Sequence, residues 1–212
     1  MSPRRKRAIT LLETMVASTL LLLLTTALFA SWNLAAQSWQ GMLRSTTRLT
    51  GLEVALKKIQ LQLQDASLQA VYQNAPAIPA LAYSSAWGLA GSSNSTTYCQ
   101  QPSALAPLWQ KYGLYYLDTN VYTLDHLEIP IPAGDPASLL AVGLDQWNGP
   151  SGIQPLAFYC SGGAVVLSAI DTFAIQRSSG LITVTISSPP TAVSGSGTGR
   201  LTLSQSIWLH NP

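Results

Sequence analysis

Few side chains in this 212-residue chain have the types and spacing that chemistry requires. Histidine is the commonest general base, and the sequence has two, His126 between Asp125 and Glu128 and His210 near the carboxyl end. A lone histidine beside carboxylates is more often a surface residue than a base. No serine occurs in a G-x-S-x-G motif, and two cysteines are too few for a four-cysteine zinc site. Residues 118–120 begin like a calcium loop but lack the later ligands. We therefore expect no catalytic residue, no enzyme activity, no metal site and no cofactor.

One acidic residue has a more informative position. Glu13 is the only charged residue between Ile9 and Trp32, and this apolar run contains neither proline nor glycine. A helix of that length extends about 35 Å, which is enough to cross the hydrocarbon core of a bilayer. An ionised carboxylate is costly in hydrocarbon, so an acidic residue in such a segment indicates a function and needs a partner.

The charges around this run predict how it crosses a membrane. Four basic residues precede it at positions 4–7, which predicts a cytoplasmic amino terminus by the positive-inside rule. Trp32 and Trp39 follow the run and fit the aromatic belt at the opposite interface. The rest of the chain should then be extracytoplasmic. Residues 66–212 carry three basic and six acidic side chains, a balance of −3, so nucleic acid is not an expected partner.

Two simpler explanations of the apolar run fit less well. The hydrophobic region of a cleaved signal peptide has about 7–15 residues, fewer than this run. Its candidate cleavage site after Ala30 has Leu28 at a position where a small residue is expected. A plain uncleaved anchor explains the run but leaves Glu13 without a role.

The heptapeptide RAITLLE, Arg7–Glu13, resembles the processing site of type IV pilins and type II secretion pseudopilins. In that family a prepilin peptidase removes a short basic leader by cutting after a small residue, usually glycine, and the new amino terminus is methylated. The resemblance implies a leader at residues 1–8, a cut between Ala8 and Ile9, methylation of Ile9, and Glu13 as the fifth mature residue. Alanine at the cut replaces the commoner glycine.

The resemblance also implies an assembly role for Glu13. Its carboxylate would pair with the freed amine of a neighbouring subunit, which offsets the desolvation of both charges in lipid. Pairing with its own amine, or reaching toward the membrane interface, is the alternative. The implied partners are other pilin-like subunits in a hetero-oligomeric filament tip, the prepilin peptidase, the inner-membrane assembly platform and membrane lipid. The implied location is a single pass through the inner (cytoplasmic) membrane, followed by the filament after assembly.

The long helix must position these residues. No proline occurs between Pro3 and Pro76, so we predict one helix from about Ile9 to about Leu68. Residues 9–32 would cross the membrane and residues 33–70 would continue the helix. An apolar stripe with alternating spacings of three and four should pack on a globular head, the alternative being a free coiled coil. Its members are Leu49, Leu52, Leu56, Ile59 and Leu63.

Residues 71–212 are predicted to form a β-rich head, which gives an α+β fold with a long amino-terminal helix and an antiparallel sheet. The clearest signal is a hairpin of Thr172–Gln176 and Leu181–Ser187, because apolar and polar residues alternate in its second strand. Further strands are expected at Gly113–Leu117, Tyr122–Ile131 and Leu201–Leu209. Cys99 and Cys160 are predicted to form a disulfide, since such bonds persist outside the cytoplasm. Two core thiols are the alternative.

The helix-end stretch Lys57–Ala66 and the late hairpin resemble the J-type minor pseudopilin of type II secretion and the W-type minor pilin of type IV pili. This resemblance implies a minor subunit that helps to initiate or cap a filament for secretion, motility or DNA uptake. Two alternatives remain open. One is a filament-tip binding module for a surface, DNA or secreted cargo. The other is a membrane-anchored extracytoplasmic protein unrelated to pili.

Overall fold

A computed structural model describes residues 10–67, 72–73, 78–88, 98–101, 106–178, 180–192 and 198–209. Over these ranges the chain consists of a long amino-terminal helix followed by antiparallel β-structure, which confirms the predicted α+β class. The chain divides into two compact units, residues 1–46 and residues 47–212.

Helix α1 comprises the 54 residues Leu11–Gln64, close to the predicted limits. No proline interrupts it, so its backbone hydrogen-bond ladder is continuous. Its amino-terminal part is long and apolar enough to span a membrane, and the most apolar stretch has no buried residue. Within the described part of the chain, α1 is the one helix with these properties.

Five strands in the second unit form an antiparallel sheet whose spatial order follows the chain. They are β1 (Tyr72–Gln73), β2 (Ala80–Ser85), β3 (Lys111–Asp118), β4 (Thr123–Pro130) and β5 (Ala164–Ser168). Strands β3 and β4 correspond to the predicted segments around residues 113–117 and 122–131. Strands β2 and β5 were not predicted. All six residues of β2 are buried, so the sequence lacks the alternation that marks a strand with one solvated face.

A second antiparallel sheet has the order β10-β7-β6. In the sequence, two short strands, β8 and β9, lie between β7 and β10 and pair with each other as a separate two-stranded sheet. The strands are β6 (Thr172–Ser178), β7 (Leu181–Ser187), β8 (Thr191–Ala192), β9 (Thr198–Gly199) and β10 (Thr202–Trp208). The predicted hairpin is confirmed as β6–β7, with Ser178 paired to Leu181 across the turn. Gly180 in this turn has a φ of 87°, a conformation that glycine adopts without steric cost.

The apolar stripe of α1 packs on the head, as predicted. Leu52, Leu56, Ile59 and Leu63 are buried, whereas Leu49 lies at the exposed edge of the stripe. The four buried residues join apolar side chains from both sheets in one cluster, which includes Leu81, Leu117, Leu124, Phe173, Ile182, Val184 and Ile186. Burial of this kind contributes roughly 1.5–3 kcal/mol per large apolar side chain, so the stripe holds residues 52–63 on the sheets.

The opposite face of the five-stranded sheet has its own core. Tyr112, Leu114 and Tyr116 of β3 contact apolar side chains from the segment that joins β4 to β5. That segment contains a short 3₁₀ helix at Pro136–Ser138 and helix α2 at Leu156–Tyr159. Because both faces of the sheet are covered, its central strands are buried on both sides.

Candidate functional site at the start of the long helix

Thr10 and Glu13 cap the start of α1 reciprocally. The Glu13 carboxylate oxygen Oε2 accepts hydrogen bonds from the backbone N–H of Thr10 at 3.0 Å and from the Thr10 hydroxyl at 3.2 Å. The Thr10 hydroxyl in turn accepts a hydrogen bond from the backbone N–H of Glu13 at 3.3 Å. This is a capping box, in which two otherwise unsatisfied N–H groups of the first helical turn gain side-chain partners. The spacing T-x-x-E is the sequence signal of this cap.

The capping box fixes the direction of the Glu13 carboxylate. Its oxygen Oε2 accepts a hydrogen bond from the backbone N–H of Thr10, which precedes the first residue of the helix. The carboxylate therefore points toward the amino-terminal end of the helix. The partial positive charge of a helix amino terminus favours a carboxylate there. The other oxygen, Oε1, accepts no hydrogen bond from the described residues. The predicted processing residues Ala8 and Ile9 lie outside the described residues.

The surface around Glu13 is apolar and open. Every side chain from residue 10 to residue 35 is exposed. The hydroxyl groups that follow Thr10 in this stretch donate to carbonyl oxygens of the preceding turn, as with Thr14 to Leu11 at 2.8 Å and Thr26 to Leu23 at 2.9 Å. Such internal bonds satisfy hydroxyl groups in hydrocarbon. Glu13 is the charged group of this segment, and its Oε1 atom has no hydrogen-bond partner among the described residues.

Trp32 and Trp39 are 72% and 64% exposed on α1. They are seven residues apart, so they lie on nearly the same face of the helix, two turns from one another. Glu13 and Trp32 are about 28 Å apart along the axis at ~1.5 Å per residue, close to the thickness of a bilayer core. The helix geometry therefore allows both residues to lie near opposite membrane interfaces.

The predicted disulfide is not formed in the structure, in which both cysteines are thiols. The Cys160 sulfur lies 3.4 Å from the carbonyl oxygen of Leu156 and donates to it, so its side chain is turned to its own short helix. Burial raises the pKa of the Cys160 thiol to about 11. The backbone N–H of Cys99 donates a hydrogen bond to the carbonyl oxygen of Ala86, and its carbonyl oxygen accepts one from the N–H of Leu108.

His126 is buried, so the expectation of a surface histidine is wrong. Its exposed fraction is 9%, and its ring lies on that of Tyr115 with the ring centres 4.5 Å apart. Its Nε2 atom is 3.1 Å from the Tyr83 hydroxyl. Burial lowers the pKa of His126 to about 4, and the charges of Lys58 and Lys111 act in the same direction, against that of Glu128.

A glutamine of α1 completes this polar cluster. The Gln62 oxygen Oε1 accepts hydrogen bonds from the hydroxyls of Tyr83, at 2.8 Å, and of Tyr115. The Tyr83 hydroxyl donates its one proton to Gln62, so in the contact with His126 its oxygen can only accept a hydrogen bond. The neutral imidazole of His126 is therefore assigned the tautomer that carries its proton on Nε2. Burial raises the pKa of Tyr83 and of Tyr115. The cluster thus links α1 to β2, β3 and β4 through neutral groups.

The segment that begins like a calcium loop is a tight turn. The Asp118 carboxylate accepts a hydrogen bond from the backbone N–H of Asn120 at 2.8 Å, which closes an Asx turn between β3 and β4. Among the described residues, no three His, Cys, Asp or Glu side chains gather in a way that would hold a metal ion.

Comparison with known proteins gives no match to a protein-family model, to a curated protein or to a solved structure.

Proposed function

We propose that this chain is a minor pilin or pseudopilin, a structural subunit that helps to initiate or cap a type IV-like filament. The filament would serve type II secretion, a type IV pilus or DNA uptake. The observation that carries the proposal is the Glu13 carboxylate, which the capping box directs to the amino-terminal end of an exposed, membrane-length apolar helix. The RAITLLE sequence around it supports processing by a prepilin peptidase, with loss of residues 1–8.

The chemistry of the site favours pairing between subunits. A cut between Ala8 and Ile9 creates a cationic amine one residue before Thr10. The open Oε1 atom of Glu13 is then available to the amine of a neighbouring chain. In a low-dielectric environment this attraction is much stronger than in water, and it offsets two desolvation costs at once. A subunit whose charges are unpaired would be disfavoured in the filament core.

The rest of the chain supplies the two parts that a filament subunit needs. Helical filaments arise from head-to-tail contacts that do not close into a ring. The exposed apolar surface of residues 10–35 requires lipid before assembly and neighbouring helices afterwards. The second compact unit, residues 47–212, has its own cores and provides a distinct surface for position in the filament. We place the amino terminus in the cytoplasm and the head outside it, with a single pass through the inner membrane.

The capping box also supports a second candidate, a membrane anchor without filament partners. In that case Glu13 serves only to start the helix, because Thr10 already satisfies one of its oxygens.

Two variants at one position separate these functions. Glu13→Gln retains a side chain that completes a capping box but removes its charge, whereas Glu13→Leu removes both. If the charge pairs subunits, we expect both variants to insert in the membrane and both to fall at least tenfold in sheared or affinity-purified filaments. Thr10→Val removes the hydroxyl but keeps the carboxylate, and it should reduce incorporation much less. Wild-type incorporation of Glu13→Gln would show that the charge does not pair subunits, whereas an anchor without filament partners predicts that the wild-type chain itself is absent from the filaments.

The intact mass of the membrane-extracted protein tests the processing step. We expect loss of residues 1–8 and one added methyl group at Ile9. A chain that retains Met1, or one that starts at Ser31, would reject the pilin proposal.

A further inference from the structure

Strand β5 leaves one edge of the five-stranded sheet without a strand partner among the described residues. It pairs with β4 on one side and is the last strand of the sheet order. Its sequence, AVVLS, contains neither a charge nor a proline, the residues that usually protect an edge from other chains. A one-residue bulge at Val166 is the protective feature that it does have. Val165 is 61% exposed on this edge.

A groove of about 410 Å³ lies between this edge and α1. Its walls are formed by Thr50, Gly51, Val54, Ala55 and Lys58 of α1 and by residues 165–167 of β5. Gly51 allows the close approach of the helix, because a Cβ atom there would stand 3.0 Å from the Leu167 side chain. The exposed faces of Val54 and Val165 give the groove apolar walls with room for an incoming side chain.

Lys58 is the charged residue of the groove lining. It makes no hydrogen bond or ion pair with any residue that the structure describes, whereas the neighbouring Lys57 amine lies 3.2 Å from the Gln60 oxygen. A cation beside apolar walls is complementary to an apolar segment that carries one carboxylate. Water satisfies the N–H and C=O groups of this edge in the isolated chain, and an added strand can replace that water with a ladder of main-chain hydrogen bonds, which a lipid does not provide.

We propose that an extended segment of a neighbouring pilin-like subunit adds to the free edge of β5. An apolar side chain of this segment fills the groove and a carboxylate pairs with Lys58. In strand addition, main-chain hydrogen bonds provide affinity and side-chain pockets provide specificity. This inference rests on the proposed function, since it takes the partner to be another filament subunit. It assigns the contact to residues of the head, separate from the Glu13 contact.

Photocrosslinking of the full-length protein in its native host tests the contact. The photoreactive residue p-benzoylphenylalanine is placed at Val165, and at Phe158 of α2 as a control that is equally exposed. We expect an adduct from position 165 whose crosslinked peptide maps to the head of another chain with a pilin-type amino terminus. That peptide should carry Asp or Glu within a few residues of the crosslink. Position 158 should not yield this peptide.

The charge is tested in the same background. Lys58→Glu should lower the yield of the position-165 adduct about tenfold, whereas the matched control Lys57→Glu should leave it unchanged. Both variants should keep the wild-type thermal unfolding midpoint, because both lysines are exposed.

The outcomes separate this inference from the proposed function. Normal filament incorporation with no adduct, a lipid adduct, or equal losses for the two lysine variants overturns the β5 contact and leaves the filament role intact. A chain that is never processed at Ile9 overturns the filament role. The β5 contact then falls with it, since no pilin-type peptide is captured.

Discussion

The ring of Tyr83 lies across Gly113, its direct partner on the neighbouring strand. A Cβ atom at position 113 would stand 2.2 Å from the Tyr83 ring atom Cζ, well inside any allowed contact. The absent side chain lets the Tyr83 hydroxyl reach both Gln62 on α1 and His126 on β4. A glycine inside a strand weakens the strand, but at position 113 it allows the close approach of an aromatic ring that any other residue would obstruct.

Gly113→Ala should destabilise the head by about 2–4 kcal/mol, since the ring held by Gln62 and His126 cannot move aside without breaking its hydrogen bonds. Urea unfolding of the detergent-solubilised full chain measures the change. Tyr83→Ala provides the matched background, in which the added methyl group meets no ring. An equal cost of Gly113→Ala in both backgrounds would contradict the steric explanation.

The stability of the head should fall as the pH drops below 6.5. His126 has a folded-state pKa of about 4 against 6.5 for a free histidine. Between these values the unfolded chain binds a proton that the folded chain does not, so the free energy of unfolding decreases as pH falls. The loss approaches on the order of 3 kcal/mol below pH 4 and is absent above pH 7.

His126→Gln is the control for this pH dependence, because it keeps a neutral polar group next to Tyr83. The wild-type protein should lose stability relative to this variant between pH 6.5 and pH 4 in parallel urea titrations. Parallel curves for the two proteins across that window would show that His126 does not carry the effect.

Removing one partner of the Lys111–Glu128 ion pair should lower the free energy of unfolding more than removing both partners. The two side chains are 2.8 Å apart and only 11% and 20% exposed, and Lys111 also donates to the carbonyl oxygen of Gly88. Lys111→Met removes the ammonium group that faces a largely buried carboxylate, which should cost about 3 kcal/mol. Adding Glu128→Leu should recover part of that loss. A double variant less stable than the single one would contradict this interpretation.

Neighbouring residues of β7 should respond very differently to truncation. Ile186 is fully buried in the core shared with α1, whereas Thr185 pairs with Ser204 at 2.8 Å on the opposite face of the sheet. Ile186→Ala should cost about 2–5 kcal/mol in the same unfolding assay, and Thr185→Ala less than about 1 kcal/mol. Similar costs at both positions would argue against the assigned faces of the sheet.

Local patterns predicted the elements that the structure contains at residues 11–64 and 172–187. The long helix is encoded by the absence of proline and by the stripe from Leu52 to Leu63, and the β6–β7 hairpin by alternation and the turn at Gly180. Strand β2 was not predicted because both of its faces are buried and its sequence does not alternate. Strand β5 was not predicted because its five residues are too few for a periodic signal. The failure at β2 depends on what covers each face of the strand, whereas the failure at β5 depends on its length alone.

The same division holds for the functional residues. The sequence by itself determined the start of the long helix, because the Thr10–Glu13 capping box forms within one turn and needs no distant partner. Only the tertiary structure decided the environment of His126, which meets Tyr83, 43 positions away, and through it Gln62. Contacts between residues so far apart leave no periodic trace in the chain. They follow from the way the helix and three strands pack, and that packing buries a histidine that has Asp125 beside it and Glu128 two residues later in the sequence.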